Sequence, residues 1–137
     1  MIANRSVPAA SVIPELPYAN VGGASDWLCG AFGFSERLRI GNHRAQLVYD
    51  GGAVIVTERG EADASRSSIL VRVADADRHH EQAAAYGAQI LTPPTDYPYG
   101  ERQYNAEDLG GHRWTFSQSI ADIDPVSWGA TLPTPAT

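Results

Sequence analysis

Two stretches of this chain follow the same order of structural signals, and a chain that repeats one unit folds as copies of that unit. The first opens with an apolar run, Val12 to Tyr18 (VIPELPY), then small residues, then a helical pattern from Ala24 to Phe32 that stops at Gly33. The second opens with Ser68 to Val73 (SILVRV), then a helical pattern from Asp75 to Tyr86 that stops at Gly87. Both glycines stand where a helix C-terminus favours a left-handed residue. The later parts also match. Ala45 to Val56 (AQLVYDGGAVIV) and Arg102 to Phe116 (RQYNAEDLGGHRWTF) each read as strand, an Asp and Gly-Gly turn, then strand. Arg37–Ile40 and Gln89–Leu91 supply short second strands. Each half therefore predicts strand, helix, strand, strand, strand. The second copy carries an insertion, Thr92 to Gly100 (TPPTDYPYG), whose prolines predict a loop.

At 137 residues, with 43% hydrophobic and 19% charged, the chain predicts one domain, 1–137. Its parts are a first module over 12–58, a polar linker (Arg59–Ser67), a second module over 68–118 and a tail over 119–137. The tail is expected to be extended, with Trp128 docked on the body. No apolar run is long enough to span a membrane, and the first ten residues lack the apolar core of a secretory signal. The single cysteine, Cys29, excludes an internal disulfide and a Cys-rich metal site, and a reducing cytoplasmic setting is expected. All ten basic residues are arginine. Without lysine there is no Schiff-base catalysis and no P-loop. A net charge of −6 with no basic stretch disfavours nucleic acid as a partner.

Alternation sorts the strand faces. Ile69, Val71 and Val73 are expected against the helix, with Ser68, Leu70 and Arg72 opposite. Trp114 and Phe116 are expected in the core, leaving Arg113, Thr115 and Ser117 on a second face that is polar enough to line solvent or a cavity. In the first helix Trp27, Leu28, Ala31 and Phe32 form the packing side. In the second, Ala76, His80, Ala83 and Ala84 share a face, so His80 is expected at the helix–sheet contact and His79 in solvent. Cys29 reads as an inert thiol, His112 as a turn hydrogen bonder and His43 as exposed.

The paired modules, with the strings VIPELPYANV…DWLCGAFGF, VRVADADRHHEQAAAYGAQI and YGERQYNAEDLGGHRWTF, resemble the vicinal oxygen chelate superfamily: glyoxalase I, extradiol dioxygenases and bleomycin-resistance proteins. The resemblance runs from about Val12 to Ser117. It implies an α+β fold of two βαβββ modules forming a curved sheet around a cavity, in a homodimer with cavities at the interface. Metal-dependent members of the superfamily place His, Gln or Glu ligands on four strands. Carried over by register, those positions fall at Ile13, Val56, Ser68 and Thr115. Two aliphatic residues and two hydroxyls do not make a tight divalent site. A register slip of two would substitute Glu15 and Glu58 and still supply no imidazole.

Two constellations keep two readings each. Glu15 and Arg72 either pair with one another or hydrogen-bond a polar ligand. Tyr97, Tyr99, Tyr104 and Trp128, with Arg102 beside them, either pack the Pro-rich loop or form a stacking platform for a flat ligand. No G-x-S-x-G elbow, HExxH or dinucleotide fingerprint is present. The reading is metal-independent, cofactor-free binding of a small molecule, of aromatic or peptide-antibiotic type by the resemblance. The expected ligand-binding set is Ile13, Glu15, Val56, Glu58, Ser68, Arg72, Tyr99, Arg102, Tyr104, Arg113 and Thr115. The alternatives are a metal-dependent lyase, isomerase or dioxygenase of the same superfamily, and a non-catalytic accessory protein with a vestigial cavity.

Overall fold

In a computed structural model that describes residues 4–59, 68–130 and 132, each half of the chain builds one layer of four strands and lays one helix on it. The first half contains β1 (Glu15–Tyr18), α1 (Val21–Phe32), β2 (Ser35–Ile40), β3 (Arg44–Tyr49) and β4 (Gly52–Glu58). The second contains β5 (Ser68–Arg72), α2 (Ala76–Tyr86), β6 (Gln89–Tyr97), β7 (Glu101–Glu107) and β8 (Arg113–Ser119). The strand orders are β1-β4-β3-β2 and β5-β8-β7-β6, with the first strand of each module parallel to the last. The repeated signals thus give two copies of one α+β topology. Most of the linker lies outside the described residues.

Local chemistry sets the helix ends. The side chains of Asn20 and Asp75 accept from the backbone N–H of Gly23 and Arg78, and Gly33 and Gly87 close the helices at positive φ. The helix-facing sides of both sheets meet in one core. Phe32, at the end of α1, reaches into the second module, with ring centroids 5.4 Å from Trp114 and 4.8 Å from Phe116. Leu16, Leu28, Leu47, Val56, Tyr104 and Ala106 complete the layer, all at most 1% exposed.

Four expectations change. The segment Thr92–Gly100 is mostly strand, because β6 is an edge strand and the N–H that Pro93 and Pro94 lack is not needed there. Two irregularities in its pairing with β7 absorb the insertion. Of the adjacent histidines, His80 keeps a sheet contact, edge-on to the Tyr104 ring at 5.2 Å, but His79 is not in solvent. His79 turns inward, donating from Nε2 to the carbonyl of Phe32 at 2.9 Å and accepting from the Tyr104 hydroxyl at Nδ1, 2.5 Å away. Ala84 is exposed, so the inward face of α2 is centred on Ala76, His79 and Ala83. The tail also contains a single 3-10 turn (Pro125–Trp128), with Trp128 against Tyr99 as docking requires.

A buried carboxylate ties the modules together. Asp108, in the β7–β8 turn, accepts from the Tyr18 hydroxyl of β1 (2.5 Å), from Trp114 Nε1 (2.9 Å) and from the backbone N–H of Gly110 and His112. His112 Nε2 donates to the carbonyl of Pro17 at 2.9 Å. Burial, then the negative charge of Asp108, pushes the Tyr18 hydroxyl far up, so it remains a donor. Gly110 sits under the Tyr18 ring, where an added Cβ would lie 2.6 Å from a ring carbon.

Replacing Asp108 with alanine strands several buried donors and is expected to cost about 3 kcal/mol or more in urea unfolding. Gly110→Ala is expected to destabilise as well, through the fixed ring of Tyr18. A pH effect follows from His79. Burial holds its pKa below 6.5. The unfolded chain therefore takes up a proton near pH 6.5 that the folded chain refuses, and stability falls as pH drops below that value. His79→Leu is expected to flatten this part of the urea midpoint against pH, between about pH 7 and pH 5.

Candidate functional site

The helices cover one face of each sheet, and the other face of each is open to other contacts. Strand register aligns these open faces as counterparts. On the first sheet Glu15 pairs with Ile55 and Ile55 with Gln46. On the second, Leu70 pairs with Thr115, Thr115 with Asn105, and Arg72 with Ser117. Glu15 and Arg72 stand on the open faces of separate modules. They do not pair with one another: Glu15 pairs with Arg44, and Arg72 donates to the Ser119 hydroxyl at 2.6 Å and lies 3.8 Å from Glu101.

The open face of the second sheet is a lattice of hydrogen bonds. Thr115 donates to Asn105 Oδ1 (2.5 Å), and Asn105 Nδ2 to Thr92 (2.6 Å). Gln103 donates to the Ser117 hydroxyl, which donates to Glu101, each at 3.0 Å. The Tyr99 hydroxyl donates to Gln103 Oε1 at 3.2 Å, linking this lattice to an aromatic group. The Tyr97 and Tyr99 rings stack at 5.4 Å and 9°, and Trp128 tilts against Tyr99 at 5.5 Å. Burial and then the neighbouring Tyr97 raise the Tyr99 pKa, so its hydroxyl stays protonated at neutral pH. Leu70 and Arg72 stand well exposed on this face.

Of the residues expected to line the site, Ser68, Arg72, Arg113 and Thr115 share the second sheet's open face by register, with Tyr99 at its margin. Glu15 lies on the open face of the first sheet, and Ile13 lies just before β1, half-buried. Four positions need correction. Val56 points to the helices and is fully buried, because Ile55 takes the open-face position; a slip of one residue reverses every side chain of a strand. Glu58 shares the parity of Val56 and sits at the strand end, 3.2 Å from His43. Tyr104 lies in the helix-side core against His79. Arg102 is on the same side as Tyr104's helix, held by Asp77 of α2 (2.9 Å) and Asp96 (2.8 Å). Sequence reasoning did not single out Gln46, Gln103 or Asn105. Their signal is polar residues at every second position of β3 and β7, where apolar partners alternate with them.

The first module meets the second at an open cleft of about 320 Å³ lined by Val12, Pro14, Tyr49, Ala53, Leu70 and Arg72, among others. Cys29 is half-buried, and burial followed by the charge of Glu36 pushes its thiol up, so it is no nucleophile at neutral pH. The ligand positions of metal-dependent relatives, with Ile55 in place of Val56, hold Ile13, Ile55, Ser68 and Thr115. These offer no imidazole and no carboxylate, and among the described residues no three His, Cys, Asp or Glu side chains gather into a possible metal site. The residues do not fit a divalent ion.

Comparison with known proteins agrees with this fold. The model of the Glyoxalase/Bleomycin resistance protein/Dioxygenase superfamily matches residues 14–116. The chain is similar to the crystal structure of TioX from Micromonospora sp. ML1, at 36% identity and a TM-score of 0.74, covering 82% of this chain and 100% of that one. A glyoxalase-related enzyme from Fulvimarina pelagi (18% identity, TM-score 0.67, covering 80% and 88%) shares the fold. So does a lactoylglutathione lyase from Agrobacterium tumefaciens (13%, 0.67, 90% and 98%). No curated protein matches the sequence. No helix among the described residues is long and apolar enough to cross a membrane.

Proposed function

Because this chain belongs to the Glyoxalase/Bleomycin resistance protein/Dioxygenase superfamily, we propose that it binds a small molecule on its open sheet faces and releases it chemically unchanged. The observation that carries this reading is the second sheet's open face. It offers neutral donors and acceptors, Thr115, Asn105 and Gln103, in fixed orientation beside the stacked rings of Tyr97 and Tyr99. That is recognition chemistry: amide and hydroxyl groups fix an orientation, and flat rings supply contact area at low entropy cost. No side chain there is held as a base against a nucleophile, and the positions a metal would need carry the wrong donors.

The ligand class that fits is an aromatic, amide-rich compound such as a peptide-derived antibiotic, and the role is protection by sequestration. Such protection demands protein in excess of drug and a dissociation constant below both concentrations. We further propose a homodimer in the cytoplasm, in which the open face of one copy's first sheet covers the second sheet of the other. Glu15 and Arg72, which a single chain keeps apart, would then face a shared space between copies.

Native mass spectrometry with elemental analysis of the same sample, before and after mixing with a panel of aromatic peptide antibiotics, tests this. A metal-free dimer holding such a compound at unchanged mass is expected. A stoichiometric divalent ion, or a ligand recovered with altered mass, would replace this reading with the metal-dependent lyase, isomerase or dioxygenase chemistry of the same superfamily. In titration calorimetry Tyr99→Ala is expected to weaken an aromatic ligand by about two- to tenfold, the worth of one offset ring pair.

A further inference from the structure

Nothing in the topology covers the open face of the first sheet, yet Gln46, Ala53 and Ile55 on it are only 5–6% exposed. The segment ahead of β1 covers it. Gln46 Nε2 donates to the carbonyl of Ser6 at 2.9 Å, and Arg37 Nη2 donates to the carbonyl of Arg5 at 2.5 Å. Arg37 Nη1 also donates to Gln46 Oε1 at 2.8 Å, which fixes the amide with its N–H toward the segment. Pro8 is buried against the body while Val7 beside it stands half exposed.

We propose that this face reads peptide backbone, and that residues 4–10 occupy it as an internal pseudo-ligand which a peptidic ligand must displace. The inference rests on reading the open faces as the ligand site, and it names the chemistry of that ligand: two adjacent acyl carbonyls and, after one intervening residue, a proline or similarly compact residue. The contacts that hold the segment go to its carbonyls, which any peptide possesses, so recognition does not depend on the side chains of Arg5 and Ser6.

The register counterpart makes the contrast. Asn105, in the place of Gln46, spends its amide on Thr92 and Thr115 within its own sheet. Gln46 instead turns outward to a chain segment. The segment's other described hydrogen bonds are local: Ser6 N–H to Asn4 Oδ1 at 2.9 Å and Val7 N–H to the Asn4 carbonyl at 3.4 Å. It does not join the sheet as a strand, so its release breaks no ladder. A tethered occupant lowers apparent affinity by the fraction of time it holds the face, which makes removal of the segment a gain of binding.

The test uses a fluorescein-labelled, acetylated peptide of residues 4–10 (NRSVPAA) and fluorescence polarisation. A chain lacking residues 1–10 is expected to bind it at least tenfold more tightly than the full chain, and Gln46→Leu in the shortened chain is expected to abolish the gain. Equal binding by both chains, or none by a shortened chain with native circular dichroism, overturns the proposal. If the shortened chain does not fold, the full chain decides. Trypsin cleavage after Arg5, followed by intact mass, is expected to accelerate at least severalfold in Arg37→Ala and Gln46→Ala, and an unchanged rate overturns the proposal. The outcomes separate the two readings. Peptide binding with no antibiotic bound keeps this inference and removes sequestration. Antibiotic binding that neither competes with the peptide nor gains from the deletion does the reverse.

Discussion

The described residues form two sheets, hence four sheet faces, and two α-helices to cover them. Both helices are used on the inside. α1 and α2 pack on one another and on the near faces of the sheets, and Phe32 of the first module completes the aromatic layer of Trp114 and Phe116 in the second. Neither module could bury its own helix so well alone, because a four-stranded sheet with one helix leaves much of that helix wet. The shared core thereby leaves two faces, far from the helices, for other partners. Every functional statement about this protein concerns those two faces.

Polar chemistry holds the arrangement in one geometry. Apolar contact is tolerant of small rotations, whereas the Asp108 carboxylate is satisfied only when β1 of one module and the β7–β8 turn of the other stand in a single relation. His79 acts similarly across the helix layer, joining the end of α1 to Tyr104 of β7. These two connections span the modules at different places, and they carry the orientation of the open faces.

The two faces differ although the topology repeats. The first has an apolar floor of Ile55 and Ala53 with Gln46 and Arg37 at its donors, and residues of the chain's own beginning rest on it. The second is a self-satisfied polar lattice bordered by aromatic rings. A repeat conserves the backbone frame, where hydrogen bonding and twist are at stake, and leaves open-face side chains to diverge, since little packing constrains them. Gln46 against Asn105 is the clearest case: at the same register position, one amide turns to the chain segment ahead of β1 and the other stays within its own sheet.

The module order, both helix stops and the core strands could be read from the residues because each rests on local physics. Gly33 and Gly87 are needed for left-handed caps, and alternation at Ile69, Val71, Trp114 and Phe116 assigns an inward side. The edge position of β6 could not be read, since prolines argue against a strand until its neighbours are known. Nor could the open-face role of Ile55 over Val56, because an unbroken apolar run such as AVIV carries no alternation to fix its parity. The inward turn of His79 was missed for a related reason: on a short alanine-rich helix a rotation of one residue costs little sequence signal, and a carbonyl at Phe32 and a hydroxyl at Tyr104 drew it in. The partners of Glu15, Arg72 and Arg102 lay furthest from reach, because an ion pair between distant segments depends on which strands become neighbours. The sequence alone determined two copies of βαβββ. Tertiary structure decided which faces stay open, what lies across them and which charges meet, because those follow from packing between segments that share no local signal.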